Sequence, residues 1–241
     1  MSASKGTLLF VHGMCHGSWC WHDAFIPFFE SKGYQCLAIE LEGHQEGNEE
    51  SIRHVRLSDF DRNIKEAVKA IKEPPIIIGH SMGGMAVQRY LRKGTCKKAV
   101  LLATVPAKGA LAASLRVIKK HPGSIKYLLK GDLLGFTRAY DQLFFGTEIS
   151  DKKRSTYRKK LCAESFIAYL QLLFPLGKSN YSGPMLVIGG EEDEIFTTRE
   201  MAQTAKKYGA DLDIIAGGAH DLMIDTQKQE VAKIIHRWMH Q

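Results

Sequence analysis

Short apolar runs alternate with longer amphipathic stretches along much of the chain. The apolar runs are rich in Val, Ile and Leu, which is typical of buried strands. Because helical stretches separate most of these runs, the pattern predicts a mostly parallel sheet with helices on both faces, an α/β fold of three layers. We predict about six strands, at Thr7–His12, Gln35–Leu41, Ile76–Gly79, Lys97–Leu102, Met185–Gly189 and Asp211–Ile215.

The stretches between the predicted strands carry apolar residues at helical spacing. Within Leu57–Lys72, for example, Phe60, Ile64 and Val68 recur every fourth residue, and Pro74 then follows. A repeat of this kind places the apolar side chains on one face of a helix, and the proline breaks the helix. We predict further helices at Trp21–Ser31, Met82–Lys93, Thr198–Tyr208 and Val231–Met239.

The interval 106–184 interrupts this alternation. It contains about 80 residues with helical periodicity and no clear strand. Four glycines divide it into short helices, namely Gly123, Gly131, Gly135 and Gly146. We predict that 106–184 is a helical cap, inserted into a single domain that spans 1–241 and lying over the carboxyl edge of the sheet.

A sharp strand-to-helix turn is predicted where the third strand ends. Gly79-His80-Ser81-Met82-Gly83 follows the apolar run Ile76–Ile78 directly and precedes a helix-forming run. Side chains at the flanking positions of such a turn would clash, which explains the glycines at both ends. Ser81 is then presented above the carboxyl ends of the strands, where open α/β sheets bind ligands. A nucleotide-binding loop is disfavoured, because neither Gly-x-Gly-x-x-Gly nor Gly-Lys-Ser/Thr occurs here.

A serine nucleophile needs an adjacent base, and in the predicted architecture the base follows the serine in the chain. Three histidines lie after the interval 106–184. His220 follows the last predicted strand in a Gly-rich turn, which places it at the same sheet edge as Ser81, and it is the predicted base. His236 and His240 belong to the terminal helix, and we interpret them as surface residues.

The base in turn needs an orienting carboxylate, which should follow the fifth predicted strand. Asp193 occupies that place and is the predicted acid, with the neighbouring Glu192 as the alternative. Asp221 adjoins His220 in the chain, but a chain neighbour rarely points back at the imidazole. We therefore assign Asp221 no part in the predicted triad.

The oxyanion that forms during acyl transfer needs donors already in place, and backbone N–H groups supply them. We predict the N–H of Met82, next to the nucleophile, and the N–H of Met14, in the loop after the first strand. His12 and Gly13 would set the shape of that loop. A zinc site built from His12, His16 and His22 is disfavoured, because their spacing matches no helical zinc pair. We expect neither a metal nor a cofactor.

Composition and charge restrict the classes of function. The apolar runs are too short to span a bilayer, so we expect no stable membrane insertion. The five cysteines form no paired motif, which favours reduced thiols and a cytoplasmic location. The net charge of +7 is concentrated in 106–180, where 14 Lys and Arg stand against five Asp and Glu. We interpret this excess as a solvated helical face, with an anionic substrate or an acidic lipid surface as the alternative, and expect no nucleic-acid partner.

The chain combines five short motifs: His12-Gly13, Glu40-x-x-Gly43-His44, Gly79-His80-Ser81-Met82-Gly83-Gly84, Gly189-x-x-x-Asp193 and Gly218-x-His220. Together these motifs resemble the α/β-hydrolase superfamily over nearly the whole chain. The segment 12–21 is also similar to the methylesterase and hydroxynitrile-lyase group, which implies a cap of short helices and a site for small esters. Lyases of that group usually carry Thr where Gly13 stands and Lys where Asp221 stands, so cyanohydrin lysis is not expected.

The sequence therefore predicts a serine hydrolase that cleaves carboxylic esters of small or medium-size apolar substrates through an acyl-enzyme. Two alternatives remain open. One is a ligand-binding, receptor-like protein on the same scaffold with little turnover. The other is hydrolysis of thioesters or C–C bonds by the same nucleophile. The expected partner is a small-molecule ester, and a homodimer is compatible with the sequence.

Overall fold

The computed structural model describes residues 4–45 and 50–241. Residues 1–3 and 46–49, which the predicted 1–241 domain includes, lie outside the described residues. The strands are β1 (Thr7–Val11), β2 (Gln35–Ile39), β3 (Ile76–His80), β4 (Lys98–Leu102), β5 (Met185–Gly190) and β6 (Asp211–Ile215). They form one sheet in the order β2-β1-β3-β4-β5-β6, and all neighbouring strands are parallel. The predicted α/β sheet of about six strands is confirmed.

Helices cover both faces of this sheet. Alternate side chains of β1 enter two separate cores, with Leu8 and Phe10 in one and Leu9 and Val11 in the other. Successive side chains of a strand point to opposite faces, so each core lies on its own side of the sheet. The α-helices of the described chain are α1 (Trp19–His22), α2 (Phe25–Ser31), α3 (Leu57–Ala70), α4 (Met82–Tyr90), α5 (Leu111–Lys120), α6 (Ile125–Lys130), α7 (Leu133–Ala139), α8 (Gln142–Phe145), α9 (Asp151–Lys160), α10 (Phe166–Leu172), α11 (Thr198–Tyr208) and α12 (Lys228–Met239).

The helix predicted at Trp21–Ser31 is in fact two helices, α1 and α2, which Asp23 and Ala24 separate. The cause is Pro27, whose ring would clash with the carbonyl of the residue four positions earlier in a continuous helix. Because α2 begins at Phe25, Pro27 falls in its first turn, where an N–H is not needed. The prediction of one helix here was therefore wrong.

The segment 106–184 contributes the short helices α5 to α10, between β4 and β5. Its two ends lie side by side, because Ala110 N–H donates to Leu172 O (2.8 Å) and Leu176 N–H donates to Ala107 O (2.9 Å). We call this segment the helical insert. Among the described residues, no helix has both the length and the apolar character needed to cross a membrane.

Candidate active site

The turn between β3 and α4 holds Ser81 in a strained backbone conformation. Its φ is +50° and its ψ is −117°, in a region that residues with a side chain rarely adopt. A Cβ at Gly83 would lie 2.3 Å from His12 O and 2.5 Å from Val11 O, and a Cβ at Gly79 would lie 2.8 Å from Gly83 O. Glycine is therefore required at both positions, as the Gly-x-Ser-x-Gly pattern indicates.

Hydrogen bonds fix this turn to the neighbouring strand. Ser81 N–H donates to Leu102 O at the end of β4 (3.0 Å), and Ser81 O accepts from Met85 N–H and Val105 N–H, both at 3.1 Å. The backbone of Ser81 is thus bonded to two elements besides its own strand. These bonds keep the strained conformation in place, so the hydroxyl is presented at the carboxyl edge of the sheet without reorganisation.

Three predicted residues from separate parts of the chain meet at this edge. Ser81 Oγ lies 3.0 Å from His220 Nε2, and His220 Nδ1 lies 2.8 Å from Asp193 Oδ2. All three are buried. Since the carboxylate can only accept, His220 carries a hydrogen on Nδ1 and its Nε2 accepts from the serine hydroxyl. This is the tautomer that can take the serine proton.

The acid is fixed in orientation by the turn that follows β5. Asp193 Oδ1 accepts from Ile195 N–H (2.8 Å) and from Phe196 N–H (2.9 Å), which leaves Oδ2 for the imidazole. Glu192, the alternative acid, is exposed. Asp193 is therefore the carboxylate that the structure places against His220.

The pKa of His220 reflects opposing effects. Burial lowers it, but the charge of Asp193 and its hydrogen bond, followed by the charge of Asp221, outweigh burial and raise the pKa above its ordinary value. The rings of Phe144 and Phe196 pack at steep angles against the imidazole, with centroids at 5.9 and 5.4 Å. The site thus stabilises the imidazolium that forms when His220 accepts a proton.

The loop after β1, residues 12–16, packs directly against the nucleophile turn, and we call it the oxyanion loop after its predicted role. A Cβ at Gly13 would lie 2.7 Å from His80 Nδ1 and 3.1 Å from Ser81 Cβ. Met14 and Met82 line the same pocket as Ser81 and His220. Within residues 4–45 and 50–241, no protein acceptor is bonded to Met14 N–H. Met82 N–H is the first of α4, where helical N–H groups lack intrahelical acceptors.

The structure shows other surroundings for the three histidines that were considered for a zinc site. His12 is buried, with Nδ1 donating to Gly13 O (2.9 Å) and Nε2 accepting from Leu41 N–H (3.1 Å). Burial holds the pKa of His12 well below its ordinary value, so the ring is neutral. His16 also has partners on both ring nitrogens, whereas His22 is exposed. Both ring nitrogens of His12 are therefore bonded to backbone groups, one of them within the oxyanion loop.

Asp221, to which the sequence assigned no part, lies at the centre of a buried cluster beside the base. Its Oδ2 lies 3.0 Å from His16 Nε2, and its Oδ1 lies 3.4 Å from His80 Nε2. His80 Nε2 donates to His220 O at 3.2 Å. The pairing of residues 16 and 221 joins segments 205 positions apart, and no local pattern signals it.

A second buried pair ties the helical insert to the oxyanion loop. His44 Nε2 lies 2.9 Å from Glu164 Oε2, which also accepts from Cys15 N–H at 3.1 Å. Burial lowers the pKa of His44, but the charge of Glu164 and its hydrogen bond raise it above the ordinary value overall. The sequence singled out the Gly43-His44 pattern and not the carboxylate that binds it, because the two residues are 120 positions apart.

One further grouping could suggest a metal site. His80, His220 and Asp221 each offer a ligand atom, and these atoms lie within 4.8 Å of one another. However, both nitrogens of His220 are already bonded to Asp193 and Ser81, and a metal ion would displace those bonds. The geometry fits a hydrogen-bonded network better than a metal centre.

The pocket above Ser81 has an apolar lining drawn from the sheet loops and the insert. It has an empty volume of about 680 Å³, which includes open solvent. Besides Ser81 and His220, its polar members are Ser114, Ser124 and Tyr169, and no Lys, Arg, Asp or Glu of the described residues lines it. Its apolar members include Val105, Val117, Leu133, Phe136, Phe144 and Leu172.

Three arginines of the insert are engaged in ion pairs away from the pocket of Ser81. Arg154 and Arg158 both bind the buried carboxylate of Asp141, and Arg116 binds Glu200 of α11 at 2.8 Å. None of these cations lines the pocket of Ser81. No Lys or Arg of the insert, which lies wholly within the described residues, contributes to the lining of that pocket.

Comparison with known proteins agrees with the fold and with the predicted resemblance to methylesterases. Esterase PIR7B of Oryza sativa subsp. japonica is 26% identical over 125 residues, which cover 51% of this chain and 44% of that protein. Methyl jasmonate esterase 1 of Vitis vinifera is 28% identical over 89 residues, 36% of this chain and 34% of that protein. The aligned segments thus cover less than half of the length of either relative.

The solved structures extend the likeness to the whole fold. An esterase from Exiguobacterium antarcticum superposes with a TM-score of 0.80 at 13% identity, over 100% of this chain and 94% of that one. At this identity the likeness concerns the fold alone. The sequence model of the alpha/beta hydrolase family matches residues 8–234. The chain therefore belongs to the alpha/beta hydrolase family.

Proposed function

We propose that the protein hydrolyses neutral carboxylic esters of small or medium size through an acyl-enzyme on Ser81. The observation that carries the proposal is the hydrogen-bonded chain from Ser81 Oγ through His220 to Asp193, with distances of 3.0 and 2.8 Å. The strained turn that presents Ser81 and the esterase names of the two plant relatives support the same class of reaction.

In the proposed mechanism, Ser81 Oγ attacks the ester carbonyl while its proton passes to His220 Nε2. The N–H groups of Met14 and Met82 donate to the oxyanion of the tetrahedral intermediate. Collapse breaks the ester C–O bond, and the leaving alcohol takes the proton from Nε2. A water molecule then attacks the acyl-enzyme, with His220 as base, and releases the carboxylic acid and free Ser81. Asp193 keeps the imidazole in the required tautomer throughout.

The substrate class follows from the pocket. A carboxylate or phosphate group would lose its hydration in this lining without meeting a cation, which costs several kcal/mol. Neutral acyl and alkyl groups have no comparable cost of lost hydration. Their binding is instead stabilised by about 25 cal/mol for each Å² of apolar surface that they bury. We therefore propose uncharged, apolar esters as substrates and interpret the basic insert as a solvated surface.

We further propose a reducing, cytoplasmic compartment. The five cysteines are free, and burial raises the pKa of the Cys36 and Cys162 thiols to about 12. Thiols held protonated in this way are poor nucleophiles and persist where glutathione keeps cysteines reduced.

The test is a panel of p-nitrophenyl esters, with the butyrate compared with the anionic hemisuccinate of similar length. We expect hydrolysis of the butyrate, a kcat/KM lower by about tenfold or more for the hemisuccinate, and a kcat loss of about 10³-fold or more in Ser81→Ala. Exposed Glu192→Gln serves as the matched control. Full turnover by Ser81→Ala, or binding of every ester without turnover, would refute the proposal. A kcat/KM higher for the matching thioester would instead favour thioester hydrolysis.

A further inference from the structure

Beside the proposed triad lies a second histidine–carboxylate pair that makes no contact with the nucleophile. We propose that His16 and Asp221 are positioning residues, which together hold the oxyanion loop in its catalytic shape and set the electrostatic environment of His220. The proposal rests on the proposed ester hydrolysis at Ser81. It gives a role in that reaction to two residues outside the predicted triad.

The bonding of His16 determines its charge. Its Nδ1 lies 2.8 Å from Met14 O and its Nε2 lies 3.0 Å from Asp221 Oδ2, so both nitrogens face acceptors. Both must carry a hydrogen, which makes the ring a cation. Burial raises the pKa of Asp221, but the charge of His16 and its hydrogen bond outweigh burial and lower the pKa to about 2. The two side chains are therefore a buried ion pair.

This pair holds one end of the peptide between Met14 and Cys15. The carbonyl of that peptide accepts from His16, and its N–H donates to Glu164 at 3.1 Å. Cys15 has a φ of +60°, a conformation that costs a residue with a side chain of order 1 kcal/mol or more. The strained peptide is thus held at both of its polar atoms by buried side chains.

The preceding peptide carries the predicted oxyanion donor. Its carbonyl, Gly13 O, accepts from His12 Nδ1 (2.9 Å) and from His16 N–H (3.3 Å), while its N–H belongs to Met14. Since the carbonyl and the N–H of a peptide point in opposite directions, these bonds set the direction of Met14 N–H. Releasing His16 would free the next peptide and, with it, the backbone that aims the donor.

The same pair acts on the base through its charge. The titratable groups that face His220 are Asp193, Asp221, His80 and the hydroxyl of Ser81. Burial lowers the pKa of His80 to about 3, so that ring is neutral. The negative charge of Asp221 raises the pKa of His220, and His16 is the cation that compensates Asp221. Asp221 also faces the Cys20 thiol, whose pKa burial raises.

Opposite changes are expected from the two halves of the pair. Asp221→Asn removes a negative charge near His220, so the acid limb of the kcat/KM profile moves to lower pH. His16→Gln leaves the negative charge of Asp221 uncompensated, which raises the pKa of His220 further. The acid limb of the kcat/KM profile therefore moves to higher pH. In both variants kcat falls about 10- to 100-fold with KM within about threefold, because the oxyanion contact exists only in the transition state. In the double variant kcat falls no further than in the more impaired single variant, because the two residues act as one unit.

The controls are Asp213→Asn and His240→Gln, a carboxylate on β6 and an exposed histidine after α12, which we expect to leave kcat and the pH profile unchanged. Circular dichroism and the unfolding midpoint check the fold of each variant. If His16→Gln does not fold, the isosteric Asp221→Asn and the double variant carry the test.

The proposal would be overturned if folded Asp221→Asn kept the kcat of wild type or changed only KM. It would also be overturned if the acid limb of the kcat/KM profile did not move in either variant. An NMR titration of the His220 imidazole protons measures its pKa without turnover. If wild type shows no Ser81-dependent hydrolysis, the proposed function fails. A lower His220 pKa in Asp221→Asn then still supports the electrostatic role of the pair, and an unchanged one contradicts it.

Discussion

Replacing Asp193 with asparagine tests how the proposed triad fixes the imidazole. The substitution keeps the size of the side chain and exchanges one carboxylate oxygen for an amide NH₂. Asp193 Oδ1 accepts from the N–H groups of Ile195 and Phe196, at 2.8 and 2.9 Å. The asparagine must keep its oxygen there, because the reverse orientation would set its NH₂ against two donors. Its NH₂ then faces His220 Nδ1.

That orientation imposes the wrong tautomer on the base. An amide NH₂ can only donate, so His220 Nδ1 must accept and the ring hydrogen moves to Nε2. An Nε2–H facing Ser81 Oγ cannot take the serine proton. Loss of the tautomer by this change in a serine triad is worth about 10⁴-fold in kcat, which corresponds to about 5.4 kcal/mol of activation free energy at 1.36 kcal/mol per decade. We expect a loss of that size at neutral pH, with KM close to that of wild type.

The assay is steady-state hydrolysis of p-nitrophenyl butyrate by wild type, Asp193→Asn and Glu192→Gln. Glu192 is the adjacent, exposed carboxylate, and its amide variant should keep kcat within about twofold because surface changes have small effects. The unfolding midpoint confirms that each variant is folded. A folded Asp193→Asn whose kcat lies within tenfold of wild type would show that Asp193 does not set the tautomer of His220. An equal loss in Glu192→Gln would assign the role of the acid to Glu192.

The nucleophile turn, the base and the helical insert can each be tested by one further experiment. Gly83→Ala places a Cβ against His12 O and Val11 O, at 2.3 and 2.5 Å, and should destabilise the fold by about 3 kcal/mol in urea denaturation; an unchanged midpoint contradicts this. His220 must be neutral to act as base and its pKa is raised, so kcat/KM should fall with decreasing pH with a midpoint above 6.5, and a midpoint below 6.5 would count against it. The double charge reversal Lys152→Glu/Lys153→Glu alters exposed residues outside the pocket. We expect the ratio of kcat/KM for anionic esters to kcat/KM for neutral esters to stay the same. A selective loss of kcat/KM for anionic esters would show that the insert recognises charge.

The features that the sequence predicted are those governed by local chemistry. The apolar runs locate each strand to within two residues, because period and length identify buried strands. Gly79 and Gly83 flank Ser81 because the turn has no room for a Cβ there. Asp193 and His220 were identified from their places after β5 and β6, since the carboxyl ends of parallel strands share one edge of the sheet.

The features that it missed depend on contacts between distant segments. Asp221 pairs with His16 and Glu164 pairs with His44, across 205 and 120 positions. No periodicity or spacing marks such a partner, because the pairing depends on how the loops and the insert pack after the sheet has formed. The break between α1 and α2 is different, since Pro27 was visible in the sequence and its clash with the preceding turn could have been inferred.

The role of Ser81 as the nucleophile is tested most directly by the site of covalent labelling with a fluorophosphonate. Intact-mass and peptide-mapping mass spectrometry should find one phosphonyl group per chain, on Ser81. Labelling should be abolished in Ser81→Ala and slowed strongly in His220→Ala, because a serine hydroxyl needs its base to react. Label on another residue, or equal labelling of Ser81→Ala, would contradict the claim that Ser81 is the nucleophile.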